Sequence, residues 1–137
     1  MATSQVYVDT SAWIALVDKS ERRHKDVSDA YRKLLRGTQM LVTSDLVLAE
    51  SQILLRRRLN FSAAETFLES ANTSPSIEII FLDHSLEQVA KELLKKFRDQ
   101  ELSFTDAASF AIMKARRIHR ALTLDQHFQL AGFKMIP

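Results

Sequence analysis

The chain contains no cysteine, and only two glycines and two prolines among its 137 residues. The first absence removes disulfides, thiol nucleophiles and Cys-ligated zinc together. It is compatible with a reducing cytoplasm, which is the expected location. The scarcity of glycine (Gly37, Gly132) and proline (Pro75, Pro137) excludes flexible linkers and low-complexity segments. No stretch approaches ~18 uninterrupted apolar residues, so no membrane span is expected. Met1-Ala2-Thr3-Ser4-Gln5 has no basic region followed by an apolar stretch, so no secretory signal is read there. A chain of this length is expected to form one domain over 1–137, burying about 68% of its unfolded surface around a single core.

Hydrophobic residues make up 46% of the chain and charged residues 26%, an ordinary balance for a globular protein. The formal net charge is +2 and the sequence pI about 9.0, but the charge is uneven. Basic clusters occur at 19–25, at Arg56-Arg57-Arg58 and at 116–120. A polyanionic partner fits such clusters. So does a local explanation, because helix C-termini attract cations and both arginine runs fall at expected helix ends.

Short apolar or β-branched runs alternate with longer helical patterns. The spacing predicts strands near 5–8, 40–43, 77–82, 121–124 and 134–136. Helices are expected near 11–17, 24–36, 45–59, 62–72, 85–97 and 105–116, with a short one at 126–130. Ser62 with Glu65, and Ser85 with Gln88, have the spacing of capping boxes that would start two of these helices. This alternation argues for an α/β fold, a three-layer α/β/α arrangement around a central parallel sheet of four to five strands.

Four carboxylates stand where the chain has reason to avoid charge. Asp9 ends the first apolar run, and Asp125 follows Ala121-Leu122-Thr123-Leu124. Glu50 interrupts an expected apolar face made by Leu46, Ile53 and Leu54, and Asp106 opens an almost uncharged helix. Acids beside apolar surface are costly unless a positive group joins them. In a parallel sheet, sites form outside the carboxyl ends of the strands, where strand order reverses. Asp9 and Asp125 belong to that rim, and the helices carrying Glu50 and Asp106 could start there. Each acid except Glu50 also has a ready structural explanation: Asp9 and Asp125 as helix N-caps, Asp106 as the partner of Ser103 in a capping box.

Two carboxylates about 4 Å apart repel by about 4 kcal/mol at an effective dielectric near 20. A cluster of four therefore calls for protonation or a cation. Magnesium and manganese favour oxygen ligands and few protein carboxylates, and such an ion activates water and stabilises phosphoryl oxygens. With the basic surface, this points to phosphodiester hydrolysis. Thr10, Ser11, Thr105 and Thr123 flank the acids and could orient them. Asp83 reads as a helix cap, and Asp18, Asp26, Asp29 and Asp99 as solvated. His24, His84, His119 and His127 show no metal-ligand spacing. Trp13, Phe110 and Phe128 read as core.

The segments around these residues resemble the PIN-domain family, and within it the VapC-type toxin ribonucleases. They are Val8-Asp9-Thr10-Ser11-Ala12-Trp13, Leu48-Ala49-Glu50, Phe104-Thr105-Asp106-Ala107 and Leu122-Thr123-Leu124-Asp125-Gln126-His127-Phe128, in family order and spacing. The resemblance implies a Mg2+- or Mn2+-dependent single-strand endoribonuclease. It implies Asp9, Asp106 and Asp125 at the metal, Glu50 completing the catalytic pocket, and Thr10 and Thr123 in support. It also implies RNA as substrate, a small antitoxin protein as inhibitor, and a homodimer. The third strand would lie at a sheet edge, keeping Asp83 away from the pocket. Processing nucleases share these residues, and a non-cleaving RNA- or protein-binding module would share the fold. A receiver-type phospho-acceptor would need a late-strand lysine where Thr123-Leu124-Asp125 stands. A haloacid dehalogenase-type phosphatase would need an acid where Ser11 stands.

Overall fold

The computed structural model of the chain describes residues 4–137; residues 1–3, part of the segment in which no signal was read, lie outside it. Five strands form one parallel sheet: β1 (Gln5–Val8), β2 (Met40–Ser44), β3 (Ile77–Ile80), β4 (Arg120–Leu122) and β5 (Lys134–Ile136), in the order β3-β2-β1-β4-β5. The seven helices among the described residues are α1 (Thr10–Val17), α2 (His24–Arg36), α3 (Asp45–Arg58), α4 (Phe61–Thr73), α5 (His84–Lys96), α6 (Phe104–Arg116) and α7 (His127–Leu130).

The sheet grows from β1 in two directions, through β2 to β3 on one side and through β4 to β5 on the other. Right-handed crossovers then place α1 to α4 on one face and α5 to α7 on the other. Aromatic packing agrees with that division. Trp13 of α1 meets Tyr31 of α2 and Phe67 of α4 edge-on, whereas Tyr7 of β1 stacks on Phe128, which meets Phe110 of α6. Val6, Tyr7 and Val8 are fully buried, as a central strand covered on both faces requires. The Tyr7 hydroxyl is paired with Ser109 at 2.7 Å, and burial raises its pKa.

Element positions follow the sequence expectation closely, with differences at the caps. Asn60, not Ser62, caps α4 by accepting from the Ala63 N–H at 2.8 Å. Asp83, not Ser85, caps α5 by accepting from the Leu86 N–H at 2.8 Å. In both cases an Asn or Asp two residues earlier outcompetes the serine as acceptor. β4 stops at Leu122, so Asp125 stands three residues beyond the strand rather than directly after it. Among the described residues no helix is long and apolar enough to cross a membrane.

Candidate active site

The reversal of strand order falls at β1, and the loops leaving β1 and β4 open side by side at its carboxyl end. One cavity of about 380 Å³ lies there, lined among others by Asp9, Glu50, Asp106 and Asp125. Parallel topology explains the convergence. α3 and α6 run back against the strands they precede or follow, so both begin at this rim, bringing Glu50 and Asp106 to it.

Asp9 is 3% exposed and sits at the N-cap position of α1, yet its side chain makes no capping hydrogen bond. The carboxylate is instead held from α1 and from the loop after β4. Ser11 Oγ donates to Asp9 Oδ2 at 3.0 Å and Thr123 Oγ1 donates to the same oxygen at 2.9 Å. Each hydroxyl also accepts a backbone N–H, Ser11 from Leu124 at 2.9 Å and Thr123 from Asp125 at 3.0 Å. Two chain segments far apart in sequence are thereby locked around one carboxylate, and both side-chain bonds converge on Oδ2, leaving Oδ1 without one. Burial, then the Asp106 charge, pushes the Asp9 pKa up from 3.8 to about 6; Thr123 and Ser11 oppose the shift.

Asp106 serves the helix as well as the cavity. Its N–H donates to Ser103 Oγ at 3.0 Å, so the capping reading is correct, but the side chain still faces other acids. Burial, followed by the charge of Asp125, raises its pKa; Ser103 works against the shift and Glu50 adds to it. Asp125, one residue ahead of Gln126, the N-cap of α7, accepts at Oδ1 from the His127 N–H at 2.9 Å, and the same oxygen lies 2.9 Å from His127 Nδ1.

Four expectations need correction. Glu50 does not sit on a buried stripe. The buried side of α3 is Val47, Leu48, Ser51 and Leu55, while Ile53 is 39% exposed, and Glu50 is half-buried on the flank that lines the cavity. Thr10 Oγ1 is buried but bonds no protein atom, so Thr10 acts on Asp9 through its backbone N–H, and the hydroxyl that positions Asp9 from α1 is that of Ser11. His127 belongs to the site: one ligand atom each from Asp106, Asp125 and His127 lie within 4.8 Å of one another. A lone histidine two residues past an acid carries no spacing signal, because its partner Asp106 is brought in by the fold. Asp18, expected to be solvated, is buried, and its Oδ1 accepts from Ser20 N–H and Oγ. Asp83 follows β3 at the sheet edge, two strands from β1, and is not among the residues lining the cavity.

The donor set fits a hard divalent cation. Burial and then a neighbouring carboxylate raise the pKa of Asp9 and of Asp106, and a buried hydroxyl, Thr10 Oγ1, belongs to a cavity-lining residue and has no protein partner. Asp9, Asp106 and Asp125 would hold the ion, with His127 beside them.

Comparison with known proteins gives the family and the fold. The profile of the PIN domain family matches residues 6–134. The 23S rRNA-specific endonuclease VapC20 of Mycobacterium tuberculosis is 34% identical over 128 residues, 93% of this chain and 95% of that protein. Its crystal structure, described as a sarcin-ricin loop cleaving toxin, superposes with a TM-score of 0.84 over 93% of this chain and 95% of that one. Ribonuclease VapC26 of the same species is 30% identical over 130 residues, 88% of this chain and 87% of its own. VapBC2 of Rickettsia felis, solved with a promoter DNA fragment, shares the fold at a TM-score of 0.72 with 14% identity, covering 96% of each chain.

Proposed function

We propose, from the premise that the chain belongs to the PIN-domain family, that it is an endoribonuclease, the toxin of a toxin–antitoxin pair, hydrolysing RNA phosphodiesters. The observation that supports this most directly is the convergence of Asp9, Glu50, Asp106 and Asp125 on one cavity at the sheet rim. The whole of 1–137 would form the one domain, working in the cytoplasm. Relatives of at least 30% identity over most of the chain are ribonucleases, and one of them acts on 23S rRNA.

A bound Mg2+ or Mn2+ would supply Lewis-acid stabilisation of phosphoryl oxygens and a water of lowered pKa. Asp9, Asp106 and Asp125 would hold that ion, and Glu50, from α3, would complete the acid pocket. Ser11 and Thr123 fix the rotamer of Asp9, so its free oxygen is aimed before substrate arrives. His127 orients Asp125 through the 2.9 Å contact. The chain's basic residues, Arg58 at the cavity itself, meet the RNA backbone.

The antitoxin and a homodimer partner belong to the same proposal; exposed Ile53, Phe81 and Phe104 leave apolar surface for protein contacts. The deciding experiment is cleavage of an unstructured RNA and of a hairpin carrying the sarcin–ricin loop, with Mg2+, Mn2+ or EDTA, by wild type and Asp106→Asn. Metal-dependent cutting that disappears in the variant is the expected result. Wild-type protein that binds RNA without cutting either substrate would move the assignment to a binding module.

A further inference from the structure

The three consecutive arginines at the end of α3 look interchangeable in sequence, but the fold gives them different surroundings. Arg56 lies over the Phe61 ring, 5.2 Å from its centroid. Arg58 lines the acid cavity, two turns beyond Glu50 and one beyond Leu54 on the same flank of the helix. Among the described residues lining that cavity it is the one cation, against the carboxylates of Asp9, Glu21, Glu50, Asp106 and Asp125.

Arg58 is engaged through one of its nitrogens. Its Nη1 donates to Glu21 Oε1 at 2.5 Å and stands 3.9 Å from Asp18 Oδ2. Asp18 is already engaged, since its other oxygen takes two bonds from Ser20. A guanidinium carries five N–H donors, and among the described residues Nε and Nη2 of Arg58 donate to no protein side chain. The side chain is about half exposed (46%), so solvent and substrate reach it. The pair with Glu21 is partly exposed and adds little to stability. The planar fork of a guanidinium matches the two free oxygens of a phosphodiester.

We propose that Arg58 is a phosphate-binding residue of the RNA site, gripping a backbone phosphate next to the one cleaved, with Glu21 as its resting counter-ion. Arg58 is half exposed and eight positions along α3 from Glu50, about 12 Å along the helix axis, an offset that favours a flanking phosphate over the one cleaved. An acid cavity otherwise repels a polyanion on approach, and Arg58 provides attraction at its entrance. This inference rests on the nuclease reading for its substrate.

The test is single-stranded RNA binding, measured by fluorescence anisotropy across a salt series in an Asp106→Asn background, together with steady-state cleavage by the protein with Asp106 intact. Arg58→Ala should weaken binding about tenfold and reduce the slope of log K against log salt by about 0.7. In cleavage it should raise KM far more than it lowers kcat. Arg58→Lys should restore the slope but only part of the affinity. Replacing the flanking phosphate by a neutral methylphosphonate should abolish the difference between the proteins with and without the Arg58→Ala substitution, whereas replacing any more distant phosphate should preserve it. Glu21→Gln should leave binding equal or tighter. If Arg58→Ala and Glu21→Gln both lower Tm and neither alters the salt slope, the pair is structural and the inference fails. A wild-type protein that cuts RNA with Arg58→Ala unchanged in KM sinks this inference alone. Absence of cutting, with the salt slope still dependent on Arg58, sinks the nuclease reading and keeps the phosphate contact.

Discussion

The molecule has two concave regions that share α1 as a wall, and they differ in everything but that. The larger, about 960 Å³, lies between α1, α2 and α4 and is lined by Trp13, Leu16, Val17, Tyr31 and Phe67 among others, with no carboxylate in its lining. The smaller, about 380 Å³, has five. Volume alone would direct attention to the first. Chemistry directs it to the second, because acids are crowded there and two of them, Asp9 and Asp106, have pKa values raised by burial and by neighbouring charge, a cost that the fold alone does not require. The groove is continuous with the hydrophobic core, so its residues are expected to govern stability. The acid cavity is expected to govern activity, and its substitutions to leave stability equal or improved.

The strongest way to break that contrast is at the acids themselves. Asp9→Asn or Asp106→Asn should lower cleavage roughly 100- to 1,000-fold or more, on the scale of losing one centre of transition-state charge stabilisation. Circular dichroism should remain native, because the bond that caps α6 at position 106 uses the backbone N–H, which asparagine keeps. A large fall in Tm for Asp106→Asn would show that the start of α6, not the cavity, explains the residue.

On the groove side, Trp13→Ala should cost about 3–5 kcal/mol in urea unfolding. It removes a buried ring packed on Tyr31 and Phe67 and the Nε1 hydrogen bond to Thr43 at 3.2 Å. Its effect on kcat at a temperature where the variant stays folded should be small. Activity lost without stability lost would erase the division between the two regions.

A pH series on the metal-free protein sharpens the comparison further. Asp9 has a folded pKa near 6, above its ordinary 3.8, so the folded state holds more protons than the unfolded state between those values. Stability in EDTA should therefore fall as pH rises through that window and stay lower at pH 7.5, by at most about 3 kcal/mol. Asp106 shifts in the same direction. Calorimetry should find that Asp9→Asn removes most of this slope and raises Tm at pH 7.5, and that Mg2+ or Mn2+ raises the wild-type Tm there. A flat profile in EDTA would mean that the acids do not strain the empty cavity. The smallest effect is expected at Ser11→Ala, which removes one of the two hydrogen bonds on Asp9 Oδ2: a loss of about 10- to 100-fold in metal affinity, read by titration calorimetry, with the fold intact.

Much of this was legible along the chain because its signals are local. Each strand is a short apolar run, most helices alternate polar and apolar faces, and Asp9, Asp106 and Asp125 each stand beside an apolar run. Glu50, by contrast, stands out only against an expected buried stripe that it does not occupy. The parallel α/β/α architecture follows from that alternation, since parallel strands need crossovers of helix length. Other features depend on which segments meet in space. The bonds that clamp Asp9 come from Ser11 at one end of the chain and Thr123 at the other, and Thr10, the nearer hydroxyl, makes none. His127 joins the site through Asp106, far behind it in the chain. Arg58 is singled out from its neighbours by a helical rotation of about 100° per residue that only a fixed helix orientation turns into a direction. Composition and periodicity determine which elements form and which residues are out of place in them. Distances between remote side chains, and with them the choice of clamp, ligand and phosphate contact, are decided by packing, because a hydrogen bond or ion pair depends on tenths of an ångström that no local pattern encodes.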